Sequence, residues 1–191
     1  MRHVERGGTY VRVVDPAWAD PLDASFSRRS GGRWNPPGAF AALYLCRDVE
    51  TARANARRLI EGQPFTFDDL RPERLPALVE TSLPDARYVD AVSARGLASL
   101  GLPASYPLDA RGRVVSHARC RPIGAAAWDA GEPGVACRSA APGAPPGGEE
   151  LALFDRGLRL RRGRRRRFER WYRGQEGAGP GRLRRSGPAA S

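Results

Sequence analysis

The chain has 191 residues, room for one domain of ordinary size with a real core plus a tail, and its 41% hydrophobic share with 22 Gly and 17 Pro points to a compact, loop-rich body. The net charge of +11 divides unevenly: residues 1–155 hold 19 Arg against 19 Asp and Glu, while residues 156–191 hold 13 Arg against two Glu. A basic face spread over the fold is thereby unsupported, and any contact with a nucleic acid or other polyanion would fall to the tail.

Arg2, His3, Glu5 and Arg6 have no apolar run behind them, so a signal peptide or membrane anchor is not expected and the protein reads as soluble and cytoplasmic. Residues 9–14 alternate as a strand, with Tyr10, Arg12 and Val14 on one face and Val11 and Val13 on the other. Taken alone, Arg12 reads as a surface arginine snorkelling off an edge strand. Residues 16–30 are polar and turn-rich, a loop suited to lie over a site.

The segment from residue 28 to 60 is the centre of the chain. Gly31 and Gly32 permit unusual backbone angles and Pro36 and Pro37 fix φ, so Arg33, Trp34 and Asn35 are held between two rigid dipeptides. The apolar run 39–46 is too short for a membrane span and reads as a core strand through Leu43, Tyr44 and Leu45. Asp48 is a helix cap. Val49, Ala52, Ala56, Leu59 and Ile60 then recur at helical spacing, and Asn55 falls on the same face. An amide among core positions needs a partner or a polar cavity, since leaving it unpaired costs about 1–3 kcal/mol.

Beyond a connection at 62–76, strands are expected at 77–83 and 88–92, a short helix at 94–100, little regular structure at 103–115, a helix at 122–130 and strands at 134–137 and 151–154. Ser139 follows the penultimate strand and, by itself, reads as a turn hydroxyl. This alternation predicts an α/β or α+β domain, a mixed sheet with short helices. Arginine fills six of the seven positions 161–167, a run that reads as a solvated tail or a polyanion contact. Phe168, Trp171 and Tyr172 follow as a short helix docking on the body or a platform for bases. Residues 174–191 have almost nothing to bury and are expected to be disordered.

Cys46, Cys120 and Cys137 are odd in number and widely spaced, which fits a reducing compartment, and two histidines give neither a closed metal site nor a Ser-His-Asp triad. No metal is expected. No Gly-x-Gly-x-x-Gly turn opens a helix, so hydride transfer on a Rossmann fold is disfavoured.

The loop GGRWNPPG followed by LYL and TARAN, the strand TYVRVVD, and the segments GVACRSA and PPGGEELALF together resemble the RES domain, a family named for an arginine, a glutamate and a serine. The resemblance covers most of residues 8–155, which sets a RES domain at 1–155 and an arginine-rich extension at 156–191. It implies a fold similar to ADP-ribosyltransferases, NAD⁺ as substrate, cleavage of the nicotinamide–ribose bond, and a toxin role opposed by an antitoxin protein. It also implies site residues. Arg12 and Arg33 would clamp the pyrophosphate, Tyr44 would stack on nicotinamide or line its pocket, and Ser139 would hydrogen-bond nicotinamide or ribose.

Asn55 departs from the pattern, standing where the family's glutamate is expected. An amide can hold a ribose hydroxyl but carries no charge to set against an oxocarbenium ion, and losing such a group costs about 10²–10³ in rate. Glu50, five positions earlier, is not on the same helix face. Two readings follow: an NAD⁺-consuming enzyme working through Arg33, Tyr44, Asn55 and Ser139, or a nucleotide-binding module that keeps the pocket with weakened catalysis.

Overall fold

A computed structural model describes residues 1–156 and 160–173 of the chain. Two long strands set its architecture. β1 (His3–Val14) and β3 (Ala77–Ala91) pair antiparallel along nearly their whole lengths, with His3 opposite Val89 and Val14 opposite Ala77. The register shifts between Arg6 and Gly8, which sets Pro84 and Asp85 in an irregularity of β3. Proline is tolerated there because no ladder bond requires its missing N–H. The strands expected at 77–83 and 88–92 are therefore one strand, kept continuous by the shared partner β1.

The remaining strands are β2 (Ala42–Cys46), β4 (Gly134–Arg138), β5 (Glu149–Phe154) and β6 (Arg161–Arg166). Their order is β1-β2-β5-β4-β3, and the β1–β3 pairing closes the sheet into a small barrel, with β6 on the other edge of β3. Only the β3–β4 pair is parallel among these pairings. One buried cluster draws side chains from all five ring strands: Tyr10, Leu43, Leu45, Leu83, Tyr88, Ala136, Leu151 and Leu153. That cluster is the barrel's interior.

Helices cover the outside. α3 (Ala94–Ser99) and α4 (His117–Asp129) enclose a second cluster around Trp34, Leu97, Cys120, Ala127, Cys137 and Phe154. α2 (Val49–Arg57) begins at Asp48, whose side chain accepts from the Thr51 amide at 2.7 Å, the cap expected of it. With α5 (Phe168–Trp171) it encloses a third cluster containing Val11, Cys46, Ala52, Ala56, Leu78, Phe168 and Trp171. α1 (Ser25–Ser30) is a short turn of helix within the segment expected to be loop.

Other differences from the sequence reading have local causes. α4 starts at His117 and holds Pro122 in its second turn, where the ring forfeits one backbone bond. α2 stops at Arg57, so Leu59 is not a core residue and is 58% exposed. The arginine run is not set apart from the body: Arg161–Arg166 pairs antiparallel with β3, Ser82 opposite Arg161 and Leu78 opposite Arg166. Phe168 and Trp171 are buried just beyond it, and the Trp171 indole donates to the Pro76 carbonyl at 3.1 Å. The disorder expected at 174–191 lies outside the described residues. Among the described residues no helix is long and apolar enough to cross a membrane.

Gly124 fixes how closely α4 approaches the central loop, because a Cβ there would stand 1.7 Å from the Trp34 carbonyl oxygen. Gly124→Ala must push helix and loop apart and should lose about 1–3 kcal/mol. A thermal midpoint unchanged from the wild type would show that the loop yields without cost.

Candidate active site

The loop between α1 and β2 is built around Asn35, which is fully buried. Its amide nitrogen donates to the Ser27 and Phe40 carbonyls at 2.8 and 3.0 Å, and its Oδ1 accepts from the Tyr44 hydroxyl at 2.9 Å. The same hydroxyl accepts from the Trp34 amide at 2.9 Å. Tyr44 thus ties the loop to β2 through two bonds, and burial pushes its phenol well above the usual range. Gly32 is required by this closeness, since a Cβ would fall 2.3 Å from the Tyr44 oxygen. The Trp34 indole donates to Cys137 Sγ at 3.2 Å, and Arg121 of α4 donates to the Gly32 carbonyl at 3.0 Å.

Beside this loop lies a cavity of about 830 Å³, within the range of roughly 300–1,000 Å³ typical of small-molecule sites. Arg12, Val13 and Val14 of β1, Tyr44 and Cys46 of β2, Asn55 of α2 and Glu150 of β5 line it. Trp18, Phe65, Phe67 and Leu70 add an apolar wall, and Arg58 and Arg74 contribute guanidinium groups that donate to no acceptor among the described residues. Leu59 and Ile60, expected in the core, line this cavity from the turn after α2.

Two of the lining side chains, Asn55 and Glu150, meet a third polar group, the buried Ser139. Glu150 Oε1 accepts from the Ser139 hydroxyl at 2.5 Å and from the Asn55 amide at 2.9 Å. Asn55 also donates to the Thr51 carbonyl at 3.2 Å, and Ser139 Oγ accepts from the Ala141 amide at 3.2 Å. Burial, and then the charge of Glu150, pushes the thiols of Cys46 and Cys137 up, so both are neutral at pH 7.

The predicted site residues are therefore brought together in part. Tyr44, Asn55 and Arg12 share the cavity, and Ser139 reaches it through Glu150. Arg12 is half committed: it donates to the Pro21 and Asp23 carbonyls at 2.6 and 3.1 Å and lies over the Trp18 ring. Burial pushes its guanidinium down to about 10, which leaves it cationic at pH 7. Arg33 does not line the cavity. It donates to the Val115 carbonyl at 2.6 Å and joins the loop to the segment leading into α4.

Glu150, Arg58 and Arg74 were not singled out by the sequence. Starting the last strand two residues earlier, at Glu149, sets Glu150 opposite both Cys46 and Cys137 and so beside Asn55 and Ser139. Among the described residues no group of three or more His, Cys, Asp or Glu is arranged to hold a metal ion.

A profile of the RES domain matches residues 9–172. The NAD(+) phosphorylase MbcT of Mycobacterium tuberculosis and that of Mycobacterium bovis are each 29% identical over 112 residues, 59% of this chain and 57% of theirs. The chain thus matches little more than half the length of these curated relatives. The crystal structure of the M. tuberculosis MbcT-MbcA toxin-antitoxin complex superposes with a TM-score of 0.70 at 22% identity, over 90% of this chain and 92% of that one. At that identity the likeness is one of fold.

Tyr44→Phe removes the partner of the buried Trp34 amide and of Asn35 Oδ1 together. It should lower the urea midpoint by the equivalent of about 1–3 kcal/mol. A midpoint equal to the wild type's would mean that the loop does not depend on this hydroxyl.

Proposed function

The chain belongs to the RES domain family, and from that premise we propose that it binds NAD⁺ and cleaves the bond between nicotinamide and ribose. The observation that carries this reading is the cavity, whose lining combines guanidinium groups, an apolar wall, and the Asn55–Glu150 pair to which Ser139 is bonded.

Each part suits a piece of a dinucleotide. Arg58 and Arg74, with no acceptor among the described residues, suit pyrophosphate oxygens, and a planar fork of donors is well matched to phosphate. Arg12 adds a third guanidinium to the lining. Trp18 and Phe65 offer faces for a base. Tyr44 gives its ring to the cavity while its hydroxyl holds the loop. Arg33 then acts through that loop, and the pyrophosphate clamp expected of it passes to Arg58 and Arg74.

The reaction needs little covalent help. The bond from ribose C1′ to the nicotinamide nitrogen breaks, its electron pair leaves with the now neutral base, and an acceptor oxygen bonds to C1′. Inorganic phosphate is the acceptor favoured here, because the MbcT relatives are named phosphorylases. The pairing of MbcT with MbcA supports a toxin role and an antitoxin partner.

A second reading draws on Asn55, which brings no charge to the family's glutamate position. It holds that the chain binds NAD⁺ without turning it over.

Purified protein incubated with NAD⁺, with and without phosphate, should release nicotinamide faster with phosphate present. Arg58→Ala and Arg74→Ala should each raise KM about 10–100-fold, the equivalent of a lost charge-assisted bond. Calorimetric binding with no nicotinamide released would favour the second reading, and neither binding nor release would exclude both.

A further inference from the structure

The adjacent glutamates of β5 have different surroundings. Glu149 points to one side of the strand and is gripped by Arg6, whose Nε and Nη2 donate to its two oxygens at 2.6 and 2.8 Å. That is an ordinary structural ion pair. Glu150 points to the other side and, among the described residues, has no cationic partner. Its Oε1 is held by two neutral donors, Ser139 and Asn55, its Oε2 accepts from no described residue, and it lines the cavity. A half-buried carboxylate without a cation carries a desolvation cost that its neutral partners only partly offset. A carboxylate that lines a cavity with one oxygen uncommitted is placed to meet a ligand.

The identity of residue 55 fits the same account. A glutamate there would set a second carboxylate against Glu150 Oε1, and two such groups cannot both stay ionised at hydrogen-bonding distance. An asparagine at this point donates its N–H instead. The negative charge missing from α2 is thus present a few ångströms away on β5, and the amide that replaced it helps to aim it.

We infer that Glu150 is the catalytic carboxylate of this site, facing ribose C1′ of bound NAD⁺ and stabilising the positive charge that builds as nicotinamide leaves, with Asn55 and Ser139 as its positioning residues. The inference rests on the NAD⁺-cleavage reading above. Glu150 takes no part in proton transfer: the C1′–N electron pair leaves with nicotinamide, and the incoming phosphate oxygen bonds to C1′ and gives its proton to water.

The test uses the full chain and two readouts. In the first, Glu150→Gln keeps an acceptor for Ser139 and Asn55 but removes the charge, and it should lower kcat for nicotinamide release by about 10²–10³ with NAD⁺ affinity retained. Moving the charge back in the double variant Asn55→Glu, Glu150→Gln should recover a measurable part of that loss. In the second, calorimetry compares ADP linked to a protonated iminoribitol, a cationic ribose mimic, with neutral ADP-ribose. The wild type should prefer the cation, and Glu150→Gln should lose about tenfold or more of that preference.

Unchanged turnover in a folded Glu150→Gln protein overturns the inference and leaves NAD⁺ cleavage standing. If the wild type itself releases no nicotinamide, the cleavage reading falls. The cation preference then still decides the carboxylate's role: its persistence in Glu150→Gln refutes it, and its loss supports it.

Discussion

A buried amide with all its partners inside the protein is the constraint on which the rest of this structure hangs. Asn35 has no access to water, so its two donors and its acceptor must be met by protein groups or the loop is destabilised by kilocalories. They are met by α1, by the entry to β2 and by the Tyr44 hydroxyl, three places that become fixed relative to one another. Tyr44 in turn satisfies the Trp34 amide, and Trp34 fills the space between β4 and α4. One polar residue therefore sets the position of two elements, and the wall of the cavity follows from it.

The barrel supplies the rigidity against which that loop is held. Because β1 and β3 are long, each pairs with more than one neighbour, and closure comes from their mutual register. Alternation along the ring strands sends Leu43 and Leu45 inward while Tyr44 faces out, and Leu151 inward while Glu150 faces out. The candidate site is consequently outside the barrel, roofed by α2 and the segment after β1. Tyr44, Asn55 and Glu150 sit on strands and a capped helix, which favours fixed geometry at the reacting atoms, while Trp18, Arg58 and Phe65 come from the connections around them.

The local part of this was legible in the sequence, and the long-range part was not. The loop between two rigid dipeptides, the strand through Tyr44, the Asp48 cap and the placement of Asn55 among helical positions all follow from neighbours within a few residues. The continuity of β3 through Pro84 depends on β1, which lies far away in the chain. The strand at Arg161–Arg166 was hidden for a related reason: propensity and charge both argue against it, and tertiary pairing overrides them. Arg166 pairs with Glu80, Arg165 donates to the Pro16 carbonyl, and the aromatic side chains that follow anchor the segment in the third cluster. Like charges on an edge strand also discourage a second edge from pairing with it, so the run has a use that composition alone does not reveal. Glu150 escaped notice because its meaning depends on Asn55, 95 positions earlier, and Ser139, 11 earlier.

The charges in the cavity have a pattern that matches the proposed ligand more closely than any single residue does. A dinucleotide such as NAD⁺ is anionic at its pyrophosphate and cationic at its nicotinamide ring, and the cationic end becomes an oxocarbenium-like sugar as the bond breaks. The cavity lining carries both signs, with Arg12, Arg58 and Arg74 on one hand and Asp15 and Glu150 on the other, Glu150 being the carboxylate that Asn55 and Ser139 hold. A site for a simple phosphate would gain nothing from the carboxylate, which would repel it. A site for a cation alone would be weakened by three guanidinium groups. A ligand carrying both signs uses the guanidinium groups and Glu150 together, and the neutral Asn55 leaves that polarity intact because the carboxylate stands on β5 rather than on α2.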